Sequence, residues 1–174
     1  MLRGNHSAKI DDKGRLKIPN AFRALVEKQH GSEVFVTSLT GEYVRLYPMP
    51  VWLAHEEKLS KMPSTHPARL KYLDRVNYYG QTAQIDTQGR VVIHPRLRDS
   101  AGMMGDVDVL GQIDTLDVWN HERFVARMTS RPNGAGFVLE QSPAAGTVLV
   151  PGTACVLTLG RLSVRAGPSA GASQ

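Results

Sequence analysis

Two short segments of the sequence carry the same residue types at the same spacing. "IDDKGRLKIP" begins at Ile10 and "IDTQGRVVIHP" begins at Ile85, and each contains an aspartate followed four residues later by an arginine that comes directly after a glycine. An arginine held beside a turn glycine can project its guanidinium toward a phosphate or a guanine edge. One such D-x-x-x-R motif is a weak indication of nucleic-acid binding, whereas two at equivalent positions of a repeated unit are a strong one.

The predicted DNA-contacting side chains are cations near these motifs. Arg15 is the principal candidate, and Arg90 is its counterpart in the second motif. The second motif has Gln88 and Val92 at positions where the first has lysines, so it forms the weaker positive pole. The predicted DNA-binding set is Arg3, Lys9, Lys13, Arg15, Lys17 and Arg90.

A structural role is the alternative for the same motifs, because the aspartate and the arginine of each can bond one another across the turn. Aspartate accepts hydrogen bonds from backbone amides at a turn entrance and would repel phosphate, and glycine supplies a positive φ. For the arginines, the surrounding excess of cations favours DNA contact over a structural role. The residues predicted to shape the turns are Asp11, Gly14, Asp86 and Gly89.

Each motif is predicted to be the turn of a tight β-hairpin. Ala8–Ile10 leads into the first turn and Leu16–Ile18 leaves it, while Ala83–Ile85 and Val91–Ile93 do the same in the second copy. Short apolar runs on both sides of a glycine-containing turn are typical of hairpins. The motif arginines are therefore expected at the start of the return strands.

A helix is expected after each hairpin. In "NAFRALVEKQHG", Asn20 is the expected N-cap and Gly31 the C-terminal end, and "PRLRDSAG" is the shorter second version. Each copy then continues with alternating valines, a second hairpin and a further helix, over Val51–Lys61 and His121–Met128. "HPARLKYLDRVNYYG" predicts a linker helix between the copies.

The two copies are related over more than the motif. Ile10–Arg23 and Ile85–Arg98 align without gaps and share six of fourteen residues. Formal charge alternates with the same period, being +4 over 1–30, −2 over 31–60, +5 over 61–98 and −4 over 99–128. Two copies of one supersecondary unit, each positive around its motif and negative after it, explain both patterns.

Composition limits the remaining possibilities. The chain has 174 residues, 41% of them hydrophobic, a formal charge of +5 and a pI near 9.6, which favours an anionic partner such as nucleic acid. Cys155 is the single cysteine, so an internal disulfide is excluded and a cytoplasmic location is expected. No signal peptide or membrane span is expected from the apolar runs.

No enzyme activity, cofactor or metal site is predicted. The six histidines lie far apart, and "AHEEKL" lacks the second histidine of a zinc-protease motif. No glycine-rich phosphate loop follows a strand, and no serine lies in a nucleophile elbow. The chemistry of the chain is therefore expected to be binding.

The motif-bearing segments carry a family resemblance. "RGNHSAKIDDKGRLKIPNAFR" and "IDTQGRVVIHPRLR" resemble the MraZ family of bacterial transcriptional regulators, over residues 1 to about 130. The resemblance implies an α+β fold, a tandem pair of AbrB-like swapped-hairpin β-elements with short helices that pack as a pseudo-dimer. It also implies a homo-oligomer, a ring, that binds double-stranded DNA at short direct repeats upstream of the division and cell-wall gene cluster, in the cytoplasm and on the nucleoid.

Under this resemblance the aspartates and arginines of both copies are the family's motif positions, and the arginines are inferred DNA contacts. The second copy departs from the first at Gln88 and at His94, which leaves open whether Arg90 contacts DNA as Arg15 does. A rival hypothesis is a swapped-hairpin assembly or antitoxin-like module that binds a protein, with incidental DNA binding. The alternating charge blocks suggest head-to-tail assembly of units.

The composition changes after the second copy. "GFVLEQSPAAGTVLVPGTACVLTLG" resembles the C-terminal half of a PASTA module, and a hairpin extension that docks on the ring or on its neighbour is favoured over ligand binding. The predicted organisation is a first AbrB-like repeat over 1–60, a linker helix over 61–81, a second repeat over 82–130, a partial PASTA-like small β extension over 131–160 and a disordered tail over 161–174.

Overall fold

The computed structural model describes residues 1–129, 137–144, 147 and 155–160. The chain divides into two compact units, Met1–Phe124 and Val125–Gln174. Both D-x-x-x-R motifs belong to the first unit, so one compact body holds the two motifs.

The first copy consists of two hairpins, each followed by a helix: β1 (Asn5–Ile10), β2 (Arg15–Lys17), α1 (Asn20–His30), β3 (Glu33–Thr37), β4 (Val44–Pro48) and α2 (Met49–Ser60). A connecting helix, α3 (Pro67–Tyr79), lies at the position of the predicted linker. The second copy repeats the order: β5 (Gln81–Gln84), β6 (Arg90–Val92), α4 (Pro95–Ala101), β7 (Gly105–Gln112), β8 (Thr115–Asn120) and α5 (His121–Thr129).

The eight strands form one sheet in which the copies exchange strands, with the order β5-β3-β4-β8-β7-β1-β2-β6. β1 pairs with β7 of the other copy, β5 pairs with β3, and β2 pairs with β6, all antiparallel. The outermost strands β5 and β6 are the two arms of the second motif's hairpin, where Asp86 N donates to Arg90 O over 2.9 Å. The sheet thus closes on itself with pseudo-two-fold symmetry, and the predicted α+β class is confirmed.

The core lies where alternate strand residues from both copies meet. Leu16 and Val91 are opposite one another in β2 and β6, and both are fully buried. A second cluster forms under α2 and α3, where the rings of Phe35 and Trp52 stack with centroids 4.2 Å apart. Because strand side chains alternate in direction, this burial turns the neighbours of Leu16 and Val91 outward.

The helix starts differ from expectation in one respect. Asn20 is the first residue of α1 rather than its N-cap, so that prediction was wrong; Pro19 occupies the cap with φ −55° and ψ 134°, and no side chain caps the helix. The fixed φ of proline already supplies the turn into the helix. Gly31 ends α1 at φ 82°, as expected. In the second copy His94 caps α4, its Nδ1 accepting from Arg96 N over 3.2 Å.

The described part of the second unit contains an antiparallel pair, β9 (Phe137–Ser142) and β10 (Val156–Gly160), with a register shift between Thr158 and Leu159. Both strands fall in the range predicted as the β extension. The predicted disordered tail, 161–174, lies outside the described residues.

Candidate nucleic-acid interface

The two motif turns lie side by side because β2 and β6 pair. Ile18 N donates to Gly89 O and Ile93 N donates to Gly14 O, each over 2.9 Å. Each turn therefore accepts a backbone hydrogen bond from the strand that leaves the other turn. Segments that are distant in sequence form one surface.

This surface is a two-stranded ribbon with an outward face that carries three cations and one valine. We call it the ribbon face, and its members are Arg15, Lys17, Arg90 and Val92. Arg15 lies opposite Val92, and Lys17 lies opposite Arg90. The pseudo-two-fold axis relates Arg15 to Arg90 and Lys17 to Val92. The arginine positions are therefore identical in the two copies, whereas the other two positions carry a cation in one copy and an apolar side chain in the other.

The carboxylate of Asp11 fixes Arg15 within the first turn. Its Oδ1 accepts from Lys13 N over 3.0 Å and from Arg15 N over 2.9 Å, and its Oδ2 accepts from Arg15 Nε over 2.7 Å. Among the described residues, none accepts from the two Nη groups of Arg15. The aspartate thus orients the guanidinium through one nitrogen and leaves the terminal donors available.

The second turn repeats this geometry. Asp86 Oδ1 accepts from Gln88 N and from Arg90 N, each over 2.9 Å, and Oδ2 accepts from Arg90 Nε over 2.8 Å. In both turns the aspartate shapes the backbone and also positions the arginine. The structural and the DNA-contact interpretations of the motif are therefore compatible with each other.

These hydrogen bonds also affect the ionisation of the aspartates. The backbone amide of Arg15, helped by its side chain, lowers the pKa of Asp11 below its usual value of 3.8. The backbone amide of Arg90 likewise lowers the pKa of Asp86. Both carboxylates are ionised at neutral pH, so each motif arginine is paired with a negative charge, and the neighbouring lysines supply much of the net positive charge.

Both turn glycines have a positive φ, 76° at Gly14 and 75° at Gly89, and both pack against an arginine of the other copy. A Cβ atom on Gly14 would lie 2.0 Å from Arg98 Nη1, and one on Gly89 would lie 2.7 Å from Arg23 Cδ. Glycine is thus required twice, by the backbone conformation and by the close approach of these side chains.

Arg23 and Arg98 pack against the motif turns, a role that the sequence reasoning missed. They are the last of the six identities between the copies, and this equal spacing after the motif arginine was the available signal. Arg23 donates from Nε to Glu27 Oε1 over 2.8 Å and from Nη2 to Thr87 O over 3.1 Å. It therefore ties α1 of the first copy to the second turn.

The predicted lysines differ in their surroundings. Lys13 is exposed on the first turn, and Lys17 Nζ donates to Gln88 O of the second turn. Lys9 is exposed on β1 and forms an ion pair with Asp106 over 3.4 Å. Since that pair neutralises its charge, Lys9 is a weaker candidate than Lys13 or Lys17.

Arg3 is separated from the other predicted contacts. It precedes β1 at the end away from the turn, where Leu2 pairs with Ile113 and Arg3 Nη2 donates to Met1 Sδ over 3.3 Å. β1 alone extends over roughly 16 Å at about 3.3 Å per residue. Arg3, one of the predicted DNA contacts, therefore lies beyond the end of β1 that is away from the first turn.

An ion pair joins the two copies on the side of the closed sheet opposite the ribbon face, where β4 pairs with β8. Arg45 donates from Nε to Asp117 Oδ1 over 2.6 Å and from Nη2 to Oδ2 over 2.7 Å. The Asp117 side chain is only 6% exposed, and this hydrogen bonding raises the pKa of Arg45 above its usual value. The pair therefore braces the strands that hold the two hairpins together.

Metal binding and membrane insertion have no support in the described part of the chain. Across residues 1–129 and the described parts of the second unit, no three His, Cys, Asp or Glu side chains are grouped to hold a metal ion. Among the described helices, none combines the length and the apolar character needed to cross a membrane.

Comparisons with known proteins identify the family of the chain. A family model described as "MraZ protein, putative antitoxin-like" matches residues 1–74 and 80–130. The chain is 46% identical over 132 residues to a protein from Acidobacterium capsulatum, covering 76% of this chain and 90% of the relative. It is 45% identical to one from Koribacter versatilis, with the same coverage, and 33% identical to one from Escherichia coli O127:H6, covering 69% and 80%. All three are named "Transcriptional regulator MraZ".

The family match spans both copies of the D-x-x-x-R motif, the helices that follow them and the strands that the copies exchange. MraZ proteins are regulators of transcription and not enzymes. The chain belongs to the MraZ family.

Proposed function

We propose that this chain is a sequence-specific DNA-binding regulator of transcription that contacts DNA through the ribbon face. The observation that carries this proposal is the pairing of β2 with β6, which places two aspartate-held arginines on one two-stranded ribbon. The family membership supports regulation of transcription, and the ribbon face supports DNA as the direct partner.

The major groove of B-DNA admits a two-stranded β-ribbon. An arginine whose Nε is already held can present its remaining donors to O6 and N7 of guanine, a contact that contributes about 1–3 kcal/mol of discrimination against other bases. Because Asp11 and Asp86 orient the guanidinium groups before binding, less side-chain freedom is lost on association. Arg15 and Arg90 therefore read bases in this proposal.

Lys13 and Lys17 contact phosphates. Phosphate contacts fix the position of a protein on the duplex without reading its sequence. Each neutralised phosphate makes the log–log dependence of affinity on salt steeper by about 0.9 for duplex DNA. Binding is therefore expected to weaken steeply as salt rises.

A homo-oligomeric ring would present one ribbon face per protomer to successive direct repeats in DNA. Several individually weak contacts would then add through effective concentration. The alternating charge of the sequence supports head-to-tail contacts between protomers. Mass photometry across a salt series tests this: partial dissociation at high salt is expected, and a ring equally intact at all salts would contradict the electrostatic part.

The proposed target is the promoter of the division and cell-wall gene cluster that begins with the chain's own gene, and the proposed location is the cytoplasm, on the nucleoid. The β extension is proposed to be a structural hairpin rather than a ligand-binding module. Location of the chain's gene directly before division genes would support this target, and an unrelated gene neighbourhood would count against it.

A rival function, binding of a protein partner by an antitoxin-like module with incidental DNA contact, agrees with the wording of the family description. A gel shift with the DNA upstream of the chain's own gene separates the two. Arg15→Ala is expected to weaken the shift strongly, while Lys71→Ala, an exposed cation on α3 with the same charge loss, leaves it unchanged. Equal binding by the wild type and the Arg15 variant would favour the rival.

A further inference from the structure

Arg98 is a cation of the second copy that lies at the turn of the first. A Cβ atom on Gly14 would be 2.0 Å from Arg98 Nη1 and 3.1 Å from its Cζ, so the guanidinium packs directly against that glycine. Gly14 stands between Lys13 and Arg15, the two strongest candidates for DNA contact in that turn. The first turn is thus completed by α4 of the other copy.

Arg23 occupies the pseudo-symmetric position but is differently engaged. Its guanidinium is paired with Glu27, four residues later on α1, and also donates to Thr87 O. The residue four positions after Arg98 is Gly102, which has no carboxylate to offer. Within the described ranges the side chain of Arg98 makes no hydrogen bond or ion pair.

The difference leaves Arg98, a half-buried residue whose guanidinium packs against Gly14, without a compensating charge at the edge of the ribbon face. Withdrawing a charge from water without a partner is unfavourable, and an anionic ligand removes that cost. The planar fork of arginine matches the oxygens of a phosphate and offers five N–H donors. Lys13 and Arg15, the other cations of the first turn, would also attract a phosphate to this position.

Building on the proposed DNA binding, we propose that Arg98 binds a backbone phosphate of the DNA that the ribbon face contacts. Arg23 does not, because Glu27 holds its Nε and Thr87 O accepts from its Nη2, which leaves fewer donors for a phosphate. The two pseudo-equivalent turns then make different numbers of phosphate contacts with the duplex. The ribbon face is therefore asymmetric along the DNA. A protomer of this kind binds each repeat in one orientation, which suits direct repeats rather than inverted ones.

The test compares Arg98→Gln with Arg23→Gln, a matched control because both substitutions remove one guanidinium beside a turn glycine. Affinity for the DNA upstream of the chain's own gene is measured by fluorescence anisotropy from about 50 to about 300 mM salt. Arg98→Gln is expected to flatten the log–log slope by about 0.9 for each protomer that contacts DNA, and to weaken binding by about tenfold or more at moderate salt. Arg23→Gln is expected to leave the slope unchanged.

Thermal unfolding of each variant separates loss of contact from loss of structure, and Arg98→Lys keeps the charge. The lysine variant is expected to retain the wild-type slope. An unchanged slope in Arg98→Gln, or equal flattening by both glutamine variants, would overturn the assignment. If Arg15→Ala still abolishes binding, the proposed function stands without Arg98; if Arg15→Ala binds normally, the ribbon-face proposal itself fails.

Discussion

The turn glycines offer a comparison between two nearly identical sites. Gly14→Ala and Gly89→Ala each place a methyl group on a residue with φ near +75°, a conformation that costs an L-residue about 1–2 kcal/mol. Gly105→Ala provides the baseline, since Gly105 has φ 69° and a Cβ atom added there would have no atom within 4 Å. A difference in the free energy of unfolding among the three variants therefore measures the cost of displacing the side chain that the new methyl group meets.

The displaced side chains differ. At Gly14 the methyl group meets the far end of Arg98, which has no polar partner among the described residues and can swing away. At Gly89 it meets Cδ of Arg23, in the middle of a side chain bonded to Glu27 and to Thr87 O. Gly89→Ala is therefore expected to lose about 1–2 kcal/mol more than Gly14→Ala, allowing for screening of a partly exposed pair.

Urea unfolding of the three variants measures this order directly. The expected result is a free energy of unfolding that is similar in Gly14→Ala and Gly105→Ala and lower in Gly89→Ala. Gly14→Ala should nevertheless weaken DNA binding, because Arg98 is displaced. A Gly14 variant at least as unstable as the Gly89 variant would refute the claim that Arg98 is unpartnered and Arg23 is anchored.

Other contacts in the first unit lead to three more expected outcomes. The lowered pKa values of Asp11 and Asp86 mean that their contribution to stability is present above about pH 4 and is lost as pH falls through their folded pKa values. In urea unfolding at about pH 5 and about pH 3, the wild type should therefore lose more stability than a variant with both aspartates changed to asparagine. Val92→Lys adds a cation opposite Arg15, so anisotropy titrations should show tighter DNA binding and a steeper salt slope; no change would contradict contact at that position. Asp117→Asn removes the buried negative charge that faces the half-buried Arg45 guanidinium and should destabilise the fold by about 2 kcal/mol in urea unfolding, whereas a loss below about 0.5 kcal/mol would contradict the bracing role.

The local parts of the fold were predictable from the sequence. The hairpin turns, their positive-φ glycines and the helix ends follow from residue preferences over a few positions, and the structure has all three. Asn20 was the exception, because Pro19 occupies the N-cap position and Asn20 lies one residue inside the helix. The α+β class followed from the family resemblance.

Which residues lie together in the interface could not be predicted from local sequence patterns, because long-range contacts determine it. That β2 lies against β6, and that Arg98 reaches Gly14, results from strand exchange between segments far apart in sequence. The difference between Arg23 and Arg98 was nevertheless readable in part, since Glu27 stands four residues after one and Gly102 after the other. Arg3 shows the converse, because residues close in sequence along an extended strand are not close in space.

Every proposed function of the ribbon face depends on DNA binding through an aspartate-oriented Arg15. The most direct measurement is the affinity of the wild type and of Arg15→Ala for the DNA upstream of the chain's own gene, across a salt series, with Lys71→Ala as the charge-matched control. DNA binding through Arg15 requires steep salt dependence for the wild type and the Lys71 variant, and strongly weakened binding for the Arg15 variant. Indistinguishable affinities and slopes for all three proteins would contradict it.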